Sequence, residues 1–234
     1  MTFSNEINPE IADEIAVRLH KIQRLIPEKV RLVAVTKTFT SDIVRAAYAA
    51  GIRDFAENKA QEALAKQTAL SDLTDVTWHF IGHVQSNKSR KIVESFDWIH
   101  SVDSLKLASR LDRQAAELNR RPHCCLQVKL ASDPTKSGFE PNQLRAALPA
   151  LDQLTHLNLV GLMVIPPYGL SPQQTREIFD QGKGLADEIT QQASVTLDLR
   201  ELSMGMSGDF ELAIAAGATV VRIGSGLFGN RKLA

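Results

Sequence analysis

Stretches with the composition of buried strands alternate with amphipathic helical patterns along nearly the whole chain. The strand-like stretches are Leu32–Thr36, Ile52–Ala56, Thr77–Ile81, Trp98–Val102, Cys124–Leu130, Leu159–Ile165, Leu199–Ser203 and Thr219–Ile223. The helical patterns between them are Ser41–Ala50, Asn58–Leu70, Asn87–Phe96, Ser104–Asn119, Pro141–Leu154, Pro172–Gln191 and Gly208–Ala216. Regular alternation of this kind predicts a parallel sheet, and eight βα units are the number that closes a barrel.

A further helix is predicted ahead of the first strand. Asn8 is a plausible helix cap, and Pro9 suits the first helical position. Apolar residues then recur at helical spacing: Ile11, Ile15, Leu19, Ile22 and Ile26.

This helix completes the count of the outer ring. Eleven residues follow Ile223, too few for a full eighth helix after its loop, so the N-terminal helix is expected to fill that place. A doubly wound open sheet is the main alternative, but no dinucleotide fingerprint follows the first strand. The sequence therefore predicts an α/β protein with a single domain over residues 1–234. That domain is a TIM-type (β/α)8 barrel with an additional N-terminal helix.

Composition narrows the range of partners. The 27 basic and 27 acidic side chains cancel, which removes the usual electrostatic argument for nucleic acid or an anionic membrane. The polar, acidic N-terminus is unlike a signal peptide, so we expect a cytoplasmic protein. Cys124 and Cys125 are adjacent and would point to opposite faces of a strand, which indicates neither a disulfide nor a metal site.

A lysine follows the first strand-like stretch. Lys37 comes after the apolar residues Val33, Ala34 and Val35 in "VAVTKTF". Functional groups of a barrel gather at the carboxyl ends of its strands, and Lys37 is expected there. Two interpretations stay open at this point: a solvated lysine, or a reactive lysine held neutral.

Two loops rich in glycine and serine are expected at the same end of the barrel. Ser207 and Gly208 follow the seventh strand, with Ser207 as a predicted helix cap, and Gly224-Ser225-Gly226 follows the eighth. In barrels a phosphate site is frequently built from the loops after these two strands and a short extra helix. The alternative is two ordinary tight turns.

Two more polar residues are candidates for the site. Period two places Arg222 on the interior face of the last strand, where a guanidinium needs a partner. That partner is either a structural carboxylate, or a ligand's ring nitrogen or anion. Asn58 lies at a strand-to-helix corner, where its amide either caps the helix or contacts a ligand.

Other candidate residues are weaker. His79 and His83 are isolated in the sequence, without a matching carboxylate pair or third ligand, so no metal is expected. Lys136 is expected to be a surface lysine on a flexible loop.

Several stretches resemble one known family. They are "LVAVTK", "FAENKAQE", "WHFIGHVQSNK", "TKSGF", "LSMGMSGDFELAIAAGAT" and "VRIGSGLFGNR", and together they span nearly the whole chain in order. The chain resembles the YggS/PROSC family of pyridoxal-phosphate homeostasis proteins. Two positions differ from the usual pattern: Ala56 stands where glycine is usual, and Lys59 where arginine or tyrosine is common.

The resemblance implies both a fold and a site. The fold is the barrel of alanine racemase without that enzyme's added β domain. Lys37 is implied to hold pyridoxal 5′-phosphate as a Schiff base, and Arg222 to face the pyridine nitrogen with Asn58 near the ring. Phosphate contacts are implied from four residues: Ser207, Gly208, Gly224 and Ser225.

The function implied is homeostasis of the cofactor and of amino-acid and keto-acid pools, without efficient catalysis. The expected partners are pyridoxal phosphate and possible recipients, namely apoenzymes or a regulatory protein, and the expected state is a monomer. A racemase or decarboxylase is one alternative, although racemisation needs a second acid–base group for which the sequence offers no obvious tyrosine. A signalling or adaptor protein that responds to the cofactor is the other.

Overall fold

A closed parallel barrel forms the body of the protein. The structure, a computed structural model, describes residues 9–131, 137–192 and 196–229, so the predicted cap Asn8 and the loop residue Lys136 lie outside it. The strands are β1 (Arg31–Val35), β2 (Asp54–Glu57), β3 (Thr77–Phe80), β4 (Trp98–Val102), β5 (His123–Val128), β6 (Asn158–Val164), β7 (Glu201–Met206) and β8 (Val220–Ile223). They are hydrogen-bonded in sequence order, and β8 returns to β1.

Helices surround this barrel. They are α1 (Pro9–Gln23), α2 (Ser41–Ala49), α3 (Ala60–Ala69), α4 (Ser89–Ser95), α5 (Leu105–Glu117), α6 (Pro141–Leu151), α7 (Pro172–Thr190), α8 (Phe210–Ala215) and α9 (Ser225–Phe228). Helix α1 packs against α2 and α9, in the outer ring where the sequence predicts it. No helix in the described ranges is long and apolar enough to cross a bilayer.

Closure of the sheet confirms the predicted barrel and excludes the open doubly wound alternative. The β1–β8 pairing places Val33 beside Arg222 and Ala34 beside Ile223. Because side chains alternate along each strand, Ala34 and Ile223 pack outward against the helices while Val33 faces the interior. The interior position of Arg222 is therefore confirmed.

The two cysteines show the same alternation on β5. Cys124 packs in the outer hydrophobic cluster, and Cys125 packs inside the barrel beside Trp98 and Met163. Both thiols are free, and burial raises the pKa of Cys125 to about 12. Neither group is a reactive thiolate at neutral pH.

The end of β7 differs from the sequence prediction. The strand extends to Met206, and the predicted cap Ser207 is wrong because Asp209 occupies the N-cap position of α8. Gly205 adopts a φ of +88°, and a Cβ there would lie 2.6 Å from the side chain of Ala213. Glycine thus lets α8 pack closely on β7, and it leaves Ser207 in the turn between the two elements.

Candidate functional site

A tight turn presents Lys37 at the carboxyl end of β1. The N–H of Phe39 donates to the carbonyl of Thr36 at 3.0 Å, and Thr38 between them has a φ of +70°. A β-branched residue rarely adopts this left-handed conformation, so the surroundings must hold the turn in place. Lys37 is half-buried and reaches the cavity described below.

A buried ion pair lies directly behind this turn. Lys66 on α3 donates to the carbonyl of Thr36 at 2.7 Å and to Oε1 of Glu57 at 2.6 Å. The hydroxyl of Thr36 donates to the same carboxylate oxygen at 2.7 Å. Glu57 is fully buried, and this burial raises its pKa although the hydrogen bond from Lys66 opposes the shift. The end of β1 is thereby tied to β2 and α3.

The loops after β7 and β8 meet, as the sequence predicts. The hydroxyl oxygen of Ser207 accepts hydrogen bonds from the N–H groups of Gly224 at 3.2 Å and Gly226 at 3.1 Å. A Cβ on Gly208 would meet nothing within 4 Å, so the approach to these donors is open. Converging N–H groups beside a hydroxyl form a site suited to an anion's oxygens.

Arg222 reaches the same place from inside the barrel. Its Nη1 donates to the carbonyl and hydroxyl of Ser203, both at 2.6 Å, and its Nη2 donates to the carbonyl of Val164 at 3.3 Å. No carboxylate among the described residues forms an ion pair with it. Burial lowers the pKa of Arg222 to about 10, which leaves the guanidinium cationic at neutral pH.

These groups share one cavity of about 610 Å³ at the carboxyl end of the barrel. This volume lies in the ordinary range for small-molecule sites. The lining includes six of the seven predicted site residues: Lys37, Ser207, Gly208, Arg222, Gly224 and Ser225. The other lining residues are Val35, Phe39, Ile81, Met206 and Gly229.

Asn58 is the exception. It lines a neighbouring cavity of about 660 Å³, together with Lys59 and Lys88, rather than the cavity that contains Lys37. It does not cap α3, whose N-cap position is Lys59. Its Oδ1 is buried without a hydrogen-bond partner among the described residues, so the corner holds an unused acceptor. A contact between Asn58 and the cofactor stays a prediction.

His79 is isolated in the sequence but not in the fold. Its ring bonds to His100 and to Asp54 inside the barrel, each at 2.9 Å. His83 is separate, mostly exposed, and 3.3 Å from Asp103. No group of three or more potential metal ligands occurs in the part of the chain that the structure describes. The sequence lacks the cross-strand register that would bring His79 and His100 together.

The two buried histidines make stability fall in mild acid. Burial lowers the pKa of both rings, so each is neutral when folded and takes up a proton near pH 6.5 when unfolded. Below that pH the unfolded state binds more protons, and the free energy of unfolding declines by up to about 1.4 kcal/mol per pH unit for each ring. Urea titrations at several pH values between 7.5 and 5 give the free energy of unfolding at each pH. This free energy should fall less steeply with decreasing pH in His100→Gln than in the parent.

Cys125→Ala, which removes an interior atom but no histidine, is the control and should keep the parental dependence of the unfolding free energy on pH. Equal slopes in His100→Gln and the parent would contradict a neutral, buried His100.

Comparison with known proteins identifies the class. A model of the family "Alanine racemase, N-terminal domain" matches residues 12–232. Alanine racemase from Clostridium difficile superposes with a TM-score of 0.73 at 18% identity, over 94% of this chain and 60% of the racemase chain. That likeness establishes the fold: a barrel of the alanine racemase type.

Closer relatives define the family within that class. A pyridoxal phosphate homeostasis protein of Synechocystis sp. strain PCC 6803 is 52% identical over 96% of this chain and 99% of its own length. The homologue of that name from Escherichia coli K12 is 37% identical over 95% of this chain and 94% of its own. The structure of PipY from Synechococcus elongatus with PLP bound has a TM-score of 0.89 at 54% identity, covering 92% of this chain and all of PipY. This chain belongs to the YggS/PROSC family of pyridoxal phosphate homeostasis proteins.

Proposed function

We propose that this protein binds pyridoxal 5′-phosphate in the 610 Å³ cavity, holds it covalently through Lys37, and takes part in homeostasis of the cofactor. One observation carries the proposal: a lysine, a pair of loops suited to an anion and a cationic arginine line the same cavity, and no carboxylate among the described residues pairs with that arginine. The relationship to PipY, whose structure contains PLP, supports the same ligand.

The lining residues fit the three polar regions of this ligand. The N–H groups of Gly224 and Gly226 already converge on an oxygen, and the phosphate would offer them stronger, charged acceptors beside Ser207. Lys37 lines the same cavity and would be the nucleophile for the aldehyde carbon. Bound pyridoxal phosphate supplies an electrophilic carbon and an electron-withdrawing ring.

Arg222 would meet the third region, the ring nitrogen. Its cationic guanidinium can donate a hydrogen bond to this nitrogen but cannot accept one from a protonated nitrogen, which keeps the nitrogen unprotonated. An unprotonated ring draws electrons less strongly, so Arg222 favours holding the cofactor over carbanion chemistry.

The lining also lacks a second acid–base group. Among the described residues of the cavity, Lys37 and Arg222 are the titratable ones, and Arg222 stays charged. Tyr48 bonds to Asp75 on the outside of the barrel, and Tyr168 is fully exposed. A missing acid–base partner costs about 10²–10⁴ in rate, so we propose storage and release of the cofactor in place of fast turnover. The proposed setting is the cytoplasm, with apoenzymes as recipients and a monomeric donor.

Two assays on the loaded protein test this function. We expect transfer of pyridoxal phosphate to an acceptor apoenzyme, and at most trace conversion of a panel of L- and D-amino acids analysed by chiral chromatography. Turnover of any one amino acid at ordinary enzyme rates, roughly 1–10³ per second, would favour a racemase or decarboxylase.

Ser207→Ala should weaken retention of the cofactor without preventing its attachment to Lys37. The hydroxyl is one of several donors to a charged phosphate, and one such bond is worth about 1.5–3 kcal/mol, or about 10- to 150-fold in the dissociation constant. Equilibrium dialysis measures this constant, and Ser104→Ala, at the cap of α5, is the matched control. Equal affinity of the parent for pyridoxal and pyridoxal phosphate would contradict the phosphate site.

A further inference from the structure

A continuous chain of hydrogen bonds crosses the barrel interior and ends at Arg222. Asp54 Oδ1 lies 2.9 Å from His79 Nε2, and His79 Nδ1 lies 2.9 Å from His100 Nε2. His100 Nδ1 lies 2.7 Å from the hydroxyl of Ser203, which lies 2.6 Å from Nη1 of Arg222. The chain therefore joins β2, β3, β4, β7 and β8, and it runs from the first residue of β2 to the cofactor cavity.

Its two ends agree on one direction for every bond. Asp54 can only accept, so it requires the proton of His79 on Nε2, and with both rings neutral this places the proton of His100 on Nε2 as well. Arg222 can only donate, so the oxygen of Ser203 accepts from it, and the hydroxyl proton can be donated to Nδ1 of His100. His100 then donates from Nε2 to Nδ1 of His79. His79 in turn donates from Nε2 to the carboxylate of Asp54, which can only accept. Ser203, His100 and His79 each have one donor and one acceptor role when both histidines are neutral with the proton on Nε2.

The surroundings favour this neutral arrangement. His79 and His100 are fully buried, and burial is the largest cause that lowers the pKa of each. Arg222 also lowers the pKa of His100. A second proton on His100, at Nδ1, would leave the hydroxyl proton of Ser203 without this acceptor and place a second cation near the guanidinium.

Hydrogen bonds to the protein hold Arg222 on one side only. Three of its five N–H groups are taken by oxygens of Ser203 and Val164. The other two have no partner among the described residues, and the residue lines the cavity. Because a guanidinium is planar and rigid, fixing three donors also fixes where the other two point.

We infer that Ser203 and His100, supported by His79 and Asp54, are positioning residues that orient Arg222 toward the bound cofactor. The role toward the cofactor rests on the function proposed above, whereas the direction of the chain does not. None of these four residues is among those that line the cavity, so their effect on the cofactor would pass through the arginine. If these interior residues served only to fill the barrel, removal of the Ser203 hydroxyl would leave the spectrum and the release rate of the cofactor unchanged.

Nitrogen NMR on full-length protein with ¹⁵N-labelled histidine tests the direction before any cofactor is added. At pH 7.5 we expect neutral rings protonated on Nε2 for both His79 and His100. Ser203→Ala should shift the Nδ1 resonance of His100, while Cys125→Ala, which also removes one heavy atom from the interior, should leave it in place. Protonation of Nδ1 of His100 in the parent would overturn the assignment.

The second measurement uses the same variants after reconstitution with pyridoxal phosphate. Ser203→Ala should shift the absorption maximum of the bound cofactor and speed its release by about 3- to 10-fold, whereas Cys125→Ala should stay within twofold of the parent. An unchanged spectrum and release rate in folded Ser203→Ala would overturn the positioning role. Failure of the parent itself to retain the cofactor would overturn the proposed function. The NMR result would still show whether the hydrogen bonds between Asp54 and Arg222 run in the inferred direction.

A variant at Asp54, the other end of the hydrogen-bond series, keeps the test decisive if Ser203→Ala does not fold. Asp54 is about one quarter exposed, so Asp54→Asn disturbs packing least. It removes the carboxylate that fixes the proton on His79, and we expect altered His79 resonances and a smaller change in release. Parental resonances of His79 in Asp54→Asn would contradict the chain.

Discussion

Lys37→Ala should abolish covalent retention of pyridoxal phosphate while the barrel still folds. The lysine is half-buried at the mouth of the cavity, so its truncation removes little packing. No other lysine lines this cavity among the described residues. The parent, reduced with borohydride and mapped by mass spectrometry, should carry the cofactor on the peptide that contains Lys37. The variant should carry none.

Lys88→Ala is the matched control, because Lys88 lines the neighbouring cavity at the same end of the barrel. It should be labelled on Lys37 like the parent. Label on any other lysine, including Lys136, would overturn the assignment of Lys37. Circular dichroism and thermal unfolding check that both variants fold.

Much of the architecture follows from local pattern alone. Each βα unit carries its own signal, and a parallel sheet of eight such units has few ways to close. The inward direction of Arg222 follows from counting along one strand, and the meeting of Ser207 with Gly224 follows from the place of two loops in a barrel. These inferences need only the order of elements, which the sequence holds directly.

What the sequence could not predict depends on register and on competition between adjacent residues. His79 pairs in the sheet beside Ala56, and only this stagger brings its ring near Asp54 and His100. Lys66 is one of many lysines on helical patterns, and nothing local marks it as buried. Ser207 and Asp209 are both good helix caps, and the left-handed Gly205 decides in favour of the later one.

The end of β1 also depends on a buried charge that no strand pattern reveals. Lys66 is 6% exposed and Glu57 is 0% exposed, and their heavy atoms lie 2.6 Å apart. The ammonium compensates a carboxylate that burial would otherwise neutralise. It also accounts for the turn at Lys37, because it holds the carbonyl of Thr36 and the carboxylate of Glu62. Glu62 in turn accepts the N–H of Thr38, the residue with the left-handed φ.

Lys66→Met should therefore lower the free energy of unfolding by about 3–5 kcal/mol, the usual cost of leaving one partner of a buried pair without the other. Urea unfolding at pH 7.5 measures the loss. Lys91→Met, at the exposed pair with Glu94, should cost less than about 1 kcal/mol. If Lys66→Met lost no more unfolding free energy than Lys91→Met, the buried carboxylate of Glu57 would not depend on the ammonium for its stability.

The dependence on pH separates lost charge from lost packing. Burial already raises the pKa of Glu57, and removal of Lys66 raises it further, so in Lys66→Met the folded state binds a proton more readily than the unfolded state. The folded variant is then favoured at low pH, and its deficit against the parent grows as pH rises from the raised pKa of Glu57 in the parent to the still higher pKa in the variant. Adding Glu57→Gln should remove this dependence and recover part of the stability, since the amide carries no charge to compensate. A deficit in Lys66→Met that stays constant from pH 5 to 8 would assign the effect to packing alone.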